Sequence, residues 1–262
     1  MKKFFLILAL CAVFVFIGCG GTDDDSDTDS TASEDYGKDD ESVIPAFEHC
    51  DEIGTYSCRT DPADGKEKSY LCWPSHSHYG IYEECKAGCN ASTGKCNPWT
   101  DPESGITWSF LKKYKNDKLA GMDPNLNDDK GWGWLFEWEE ARSYCSKLKE
   151  GGFNDWRLPT IDELRTLIQN CPATETGGKC KVSEKDDCID SYTYDECYSP
   201  ADCTCRFDST GKYSRLGDGN IWLWSHSELP GQAWIAGFGY ASMLLDGKSG
   251  GTTNFKTIRC VR

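Results

Sequence analysis

The spacing of hydrophobic positions changes several times along the chain, and each change marks a boundary. Phe4 to Ile17 is an unbroken apolar run of 14 residues. From Thr22 to Ser42 apolar side chains all but vanish. Between Phe47 and Cys96 they are sparse and punctuated by cysteine, with turn signals at Asp64-Gly65 and Thr93-Gly94. Helical periodicity begins only in the C-terminal part. Trp138, Ala141, Cys145 and Leu148 recur at spacings of three and four, which predicts a helix over Glu137 to Lys149. Gly151 and Gly152 are expected to end it, with Lys147 and Lys149 at its negative end. Ile161, Leu164, Leu167 and Ile168 give the buried face of a second helix, from about Ile161 to Gln169. Pro159 blocks an earlier start, and Thr160 with Glu163 forms a capping box. Past Cys205 the pattern becomes short, Trp-rich and Gly-punctuated. Strands are expected at Ile221 to Trp224, Ala233 to Phe238 and Thr257 to Val261, with turns at Pro230-Gly231 and Asp246-Gly247. Two helices followed by strands is an α+β layout.

The first run is too short to span a bilayer as a helix, which takes about 20 residues. Preceded by Lys2 and Lys3 and closed by Gly18-Cys19, it reads as a secretion signal over residues 1–18. Phe16-Ile17-Gly18-Cys19 resembles the lipobox of bacterial lipoproteins, in which the cysteine is acylated and becomes the new N-terminus. Phe16 departs from the usual Leu, and an ordinary signal peptide with another cut is the alternative. Two or three acyl chains, at about 0.8 kcal/mol per buried methylene, anchor stably where one does not. Gly20, in place of Asp, disfavours inner-membrane retention by resemblance to enterobacterial lipoproteins. The expected location is therefore the cell envelope, by a lipid anchor in the outer membrane, with display at the surface.

Charge sharpens that picture. The chain carries −15, and Thr22 to Ser42 holds ten acidic residues against Lys38. Such a run cannot bury enough surface to offset its ordering entropy, so residues 19–46 are expected to be a solvated tether below the lipid. The remainder is only mildly acidic. With no basic stripe to meet phosphates, nucleic acid is excluded as a partner.

Of the 16 cysteines, Cys11 leaves with the signal and Cys19 takes lipid. The even remainder, in an exported chain, reads as disulfides, with zinc as the rival where cysteines cluster at Cys197, Cys203 and Cys205. Cys50, Cys58, Cys72, Cys85, Cys89 and Cys96 fall in residues 47–98. A module of that size needs covalent staples because it buries little core, although six cysteines leave 15 connectivities open. Residues 99–262 are long enough for one domain with a proper core.

In that domain the strings Asp101-Pro-Glu-Ser-Gly-Ile-Thr-Trp108, Trp138-Glu-Glu-Ala-Arg-Ser-Tyr-Cys145, Gly152-Phe-Asn-Asp-Trp-Arg-Leu-Pro-Thr-Ile-Asp-Glu-Leu164, Trp224-Ser225 and Ile258-Arg-Cys-Val-Arg262 resemble the C-terminal domain of the collagen-like bacterial adhesin Lcl. The resemblance covers most of 99–262 outside a Cys-rich insertion, 171–207. It implies a C-type-lectin-like or formylglycine-generating-enzyme-like fold, and a bridge from Cys145 to Cys260. That pairing leaves Cys171, Cys180, Cys188, Cys197, Cys203 and Cys205 to staple the insertion. Cys203 and Cys205, two apart, are expected to take different partners.

Candidate chemistry is thin. His49, His76, His78 and His226 are the histidines. His226 lies between Ser225 and Ser227, but neighbours on a strand point to opposite faces, so they form no dyad. His76 and His78 read as a polar turn. Asp123, Asn125 and Asn127 space oxygen ligands as a calcium loop does. However, Asp128 stands where the turn glycine belongs and Trp134 where the closing Glu belongs. Calcium is thus the one cofactor to weigh, and a solvated loop is the default. Trp108, Trp138, Trp156 and Trp224 are expected in the core. Trp132 and Trp134, flanked by glycines, are the candidates for an exposed aromatic patch. The reading these features favour is a non-enzymatic surface module that binds an extracellular glycan, polyanion, polymer or protein. An enzyme on the related fold and a purely structural envelope component are the alternatives.

Overall fold

The computed structural model describes residues 50–73, 78–115, 136–185, 201–249 and 256–262, with side chains at 73 and 78–80 left aside. The signal, Cys19, the acidic run, His49, His76, Asp123, Asn125, Asn127, Trp132, Trp134, Cys188 and Cys197 all lie outside the described residues. Among the described residues no helix is long and apolar enough to cross a membrane.

The chain is a small, disulfide-rich α+β protein whose strands outweigh its helices. Its first part is a meander of β1 (Tyr56–Thr60), β2 (Glu67–Trp73) and β3 (His78–Glu84), antiparallel with β2 in the middle. A short hairpin follows, β4 (Cys89–Asn90) and β5 (Lys95–Cys96). Bridges Cys50–Cys72, Cys58–Cys89 and Cys85–Cys96 tie these strands to one another. Gly94 is required in the hairpin: φ is +68°, and a Cβ there would stand 2.2 Å from the Tyr56 carbonyl.

The second part opens with β6 (Trp99–Thr100) and β7 (Thr107–Trp108), then α1 (Trp138–Lys147) and α2 (Ile161–Thr166). Its main sheet has the order β10-β9-β8-β11, from β8 (Trp222–Leu229), β9 (Gln232–Gly237), β10 (Ser242–Gly247) and β11 (Lys256–Thr257). All pairs are antiparallel except β8 with β11. Beyond β11 the chain end threads between two neighbours: Val261 bridges both Trp108 and Arg157, and Ser109 N–H donates to the Cys260 carbonyl at 2.9 Å. Cys260 is bonded to Cys145 on α1, pinning that helix to the threaded end.

Both helices bury the face their periodicity predicts. Trp138, Ala141 and Cys145 are buried on α1, and the α2 stripe Ile161, Leu164, Leu167 and Ile168 is at most 2% exposed. The Thr160–Glu163 capping box is closed in both directions. Trp108, Trp138, Trp156 and Trp224 are all core.

Three local expectations are corrected. The first helix stops at Lys147, because Leu148 is already extended (ψ 134°), and Gly151 and Gly152 serve the following turn instead. Gly151 (φ +61°) is needed there because a Cβ would stand 2.6 Å from Pro98. The second helix stops at Thr166 rather than near Gln169, and Ile168 pairs with Ser214. Asp246-Gly247 is the end of β10, not a turn. Asp246 sits opposite Ala233, and its buried carboxylate pairs with buried Lys256 at 2.8 Å, so a polar dipeptide is held inside a strand. The chain reverses instead just before β10, where Ala241 takes φ +47°.

Ile44–Arg262 form one compact unit. All the described bridges lie on one side or the other of residue 98, but the apolar core crosses it. Leu71 and Tyr82 from the meander share a cluster with Trp108, Phe110 and Leu111. Tyr82 stacks on Phe110 at 5.3 Å, and Tyr56 meets both rings edge-on.

Candidate functional site

Charged groups gather in the interior at Arg259, which is 1% exposed. Its guanidinium forks onto Asp218 at 2.6 and 3.0 Å, and donates to Glu83 Oε1 and the Ser109 carbonyl at 2.9 Å each. The second oxygen of Glu83 accepts from the Leu111 N–H. Burial opposes the charge on Arg259, but the Asp218 and Glu83 carboxylates outweigh it and hold the guanidinium protonated. Every strong donor and acceptor here is engaged by another, and the cluster ties β3 to the chain end. It is a structural clamp.

Arg165 does similar work for the insertion. From α2 it donates to the carbonyls of Thr174, Glu175, Gly178 and Val182. This part of the insertion, without much core of its own, is organised around one planar donor group. Cys171–Cys205 and Cys180–Cys203 close it, so Cys203 and Cys205 do take different partners.

The outlet of the insertion carries the outward-facing feature. Phe207 and Tyr240 are 47% and 43% exposed, and their rings meet at 4.9 Å with a 48° tilt. Two large aromatics beside each other in water need a reason, because folding normally removes such surface. Their backbone is tightly held. Cys205 N–H donates to the Tyr240 carbonyl and Asp208 N–H to the Gly239 carbonyl, both at 2.7 Å, at and three residues after the bridged Cys205. Gly239 lets the strands close, since a Cβ there would stand 2.4 Å from Asn220 Oδ1 and 3.1 Å from the Phe207 ring. Asp208 accepts from both N–H and O–H of Thr210, which keeps its carboxyl below the usual range and therefore ionised. The result is a rigid aromatic platform with a carboxylate and the exposed Asn220 amide at its rim. Such a surface suits a ligand with an apolar face and polar edges.

Trp132, Trp134, Asp123, Asn125 and Asn127 lie outside the described residues, where calcium and an aromatic patch were expected. Among the described residues no group of three or more His, Cys, Asp and Glu side chains is placed to hold a metal. His226 is exposed on β8 and stacks on Trp138 at 6.3 Å. Its serine neighbours are buried and occupied: Ser225 donates to the Trp234 carbonyl, and Ser227 donates to Glu184 while accepting from Ile161 N–H. Phe207 and Tyr240 carried no local signal, because 33 positions separate them and neither lies in a periodic stretch.

The family model described as the Lcl C-terminal domain matches residues 97–262. The match begins immediately after Cys96, so the six-cysteine module lies outside it. No curated protein and no solved structure gives a significant match.

Proposed function

Since the chain belongs to the Lcl C-terminal domain family, we propose that it is a lipid-anchored envelope protein that displays a non-enzymatic recognition domain outside the cell. Its ligand is an extracellular glycan or glycan-bearing polymer. The observation that carries this reading is the exposed Phe207–Tyr240 platform, held by two disulfides and rimmed by Asp208 and Asn220. Aromatic faces bind the C–H faces of sugar rings while rim groups take the hydroxyls, and a rigid platform loses little entropy on binding. A C-type-lectin-like fold is supported by the two short helices, the mostly antiparallel sheet and the bond from α1 to the chain end. Acylated Cys19 and the acidic run after it supply the anchor and the spacer.

The test is binding of the soluble 44–262 fragment to a glycan array and to immobilised polysaccharides. Binding is expected in the micromolar range, with a tenfold or greater loss in Phe207→Ala/Tyr240→Ala, as expected for two aromatic anchors. No binding at high micromolar concentration would end the recognition reading. Mass spectrometry of the exported protein should find an acylated Cys19 at its start.

A further inference from the structure

A second concavity lies where the six-cysteine module meets the domain. The β4–β5 hairpin and Pro98 form one wall, and the end of α1 with the turn after it forms the other. The cleft holds about 280 Å3. That is near the lower limit for small-molecule pockets and suits one sugar-sized ring. It opens beside a shallower groove of about 640 Å3 along the exposed face of α1, which shares Tyr144, Leu148 and Lys149 with it.

We propose that this cleft is a second ligand site of the recognition domain, one that takes a single neutral polyol ring, a hexose, from a larger glycan. The proposal rests on the reading that the domain binds glycans, and it names a site that shares no residue with the platform. Glu150 is the central group. Its Oε1 accepts from the Phe110 N–H at 2.7 Å, while among the described residues Oε2 has no partner. Glu150 is half-buried and burial pushes its carboxyl upward despite that bond, so a ligand hydroxyl donating to Oε2 takes the place of solvent at the cleft wall. Lys95 and Lys149 line the same cleft, the Lys95 ammonium lying over the Tyr56 and Phe110 rings, and Asn97 adds an amide. This mixture selects by charge: the carboxylate disfavours anions, and the two ammonium groups disfavour cations. A neutral ring with hydroxyls can accept from one set and donate to the other. Tyr144, Leu148 and Pro98 supply the apolar wall for its C–H face. The adjoining groove leaves room for the rest of the glycan.

The experiment is saturation-transfer NMR on the full chain in a polyoxyethylene detergent, which carries no sugar. The probes are methyl glucopyranoside, methyl galactopyranoside and methyl mannopyranoside, with glucuronate as the anionic comparator. At least one neutral hexoside should bind, and glucuronate more weakly. Glu150→Gln keeps an acceptor for Phe110 N–H but turns the second acceptor into a donor, so hexoside affinity should fall about tenfold or more with a thermal midpoint no lower than the parent's. Lys149→Ala, at an exposed position that folding does not need, should weaken it less, and Phe207→Ala/Tyr240→Ala should leave it unaltered. The cleft is refuted if no hexoside binds, if Glu150→Gln and Lys149→Ala both bind as the parent does, or if the platform variant abolishes the signal. In each case polysaccharide binding lost in the platform variant would leave the functional reading standing. A blank glycan array alongside Glu150-dependent hexoside binding would remove the platform instead.

Discussion

Residues 50–96 and residues 99–262 solve the stability problem in different ways. The first region closes three bridges within a short span, yet among its described residues the only buried non-cysteine apolar side chains are Leu71 and Tyr82. The second buries a stripe on each helix and both faces of β9, and needs only Cys145–Cys260 to join its first helix to its end. Staple density rises where core is scarce, as surface-to-volume scaling requires. The described part of the insertion repeats the lesson inside the larger region: with little core, it relies on Cys171–Cys205, Cys180–Cys203 and the Arg165 fork. The comparison also has a limit, because the module finishes its own packing by leaning Tyr82 on Phe110 and Glu83 on Arg259.

The bridges offer the largest effect. Replacing Cys145 and Cys260 by Ser releases a link across 115 positions and should cost about 5 kcal/mol in the chain-entropy account, against about 3.5 kcal/mol for the Cys58–Cys89 pair across 31. Denaturant unfolding measures both losses, and amide exchange locates them. The Cys58–Cys89 variant should lose protection throughout β1–β3, while the Cys145–Cys260 variant should keep a protected, less stable sheet. Equal local loss in the two variants would dissolve the distinction between a stapled and a packed region.

Arg259→Met probes the dependence of one region on the other. It strands Glu83 and Asp218 in the interior and should cost about 3 to 5 kcal/mol, in the range for breaking buried ion pairs. Adding Glu83→Gln and Asp218→Asn should recover part of that loss. If Arg259→Met leaves the exchange protection of β3 unaltered, the module stands without the domain and the shared core is incidental.

The smallest effect separates two carboxylates by pH. Glu163 lies in the domain. Burial raises its pKa, but the Arg157 fork and the Thr160 N–H outweigh burial and bring it below the usual value. Its contribution is therefore present above the unfolded value near about 4.3 and fades as pH falls through the lower folded one. Glu163→Gln should cost about 1 kcal/mol or less at pH 7 and progressively less as pH falls below the unfolded value. Glu150 faces the module, and burial raises it. Its favourable contribution is complete below the unfolded value and lost as pH rises through the folded one. Glu150→Gln should therefore match the parent near pH 3 and melt slightly higher at pH 7. Thermal melts at the two pH values read both signs.

Much of this architecture was legible locally. The apolar stripes of α1 and α2, the Thr160 cap and the four core tryptophans follow from side-chain spacing and capping chemistry that act within a few residues. The errors have equally local causes. Gly151 and Gly152 looked like a helix stop, but Gly151 accommodates Pro98, which lies 53 positions earlier. Asp246-Gly247 looked like a turn, but Lys256 neutralises the acid inside the sheet.

By itself, the sequence determined which segments could bury a face, where staples were needed and which cysteines were too close to pair with each other. Those properties depend on residue type and short spacing. Only the tertiary structure decided that the core crosses residue 98, that Arg259 is clamped between Glu83 and Asp218, and that Phe207 and Tyr240 share one exposed platform. Each of these joins residues from 28 to 176 positions apart. Such contacts form only after loop closure and sheet register bring distant segments together, and no local pattern encodes that meeting.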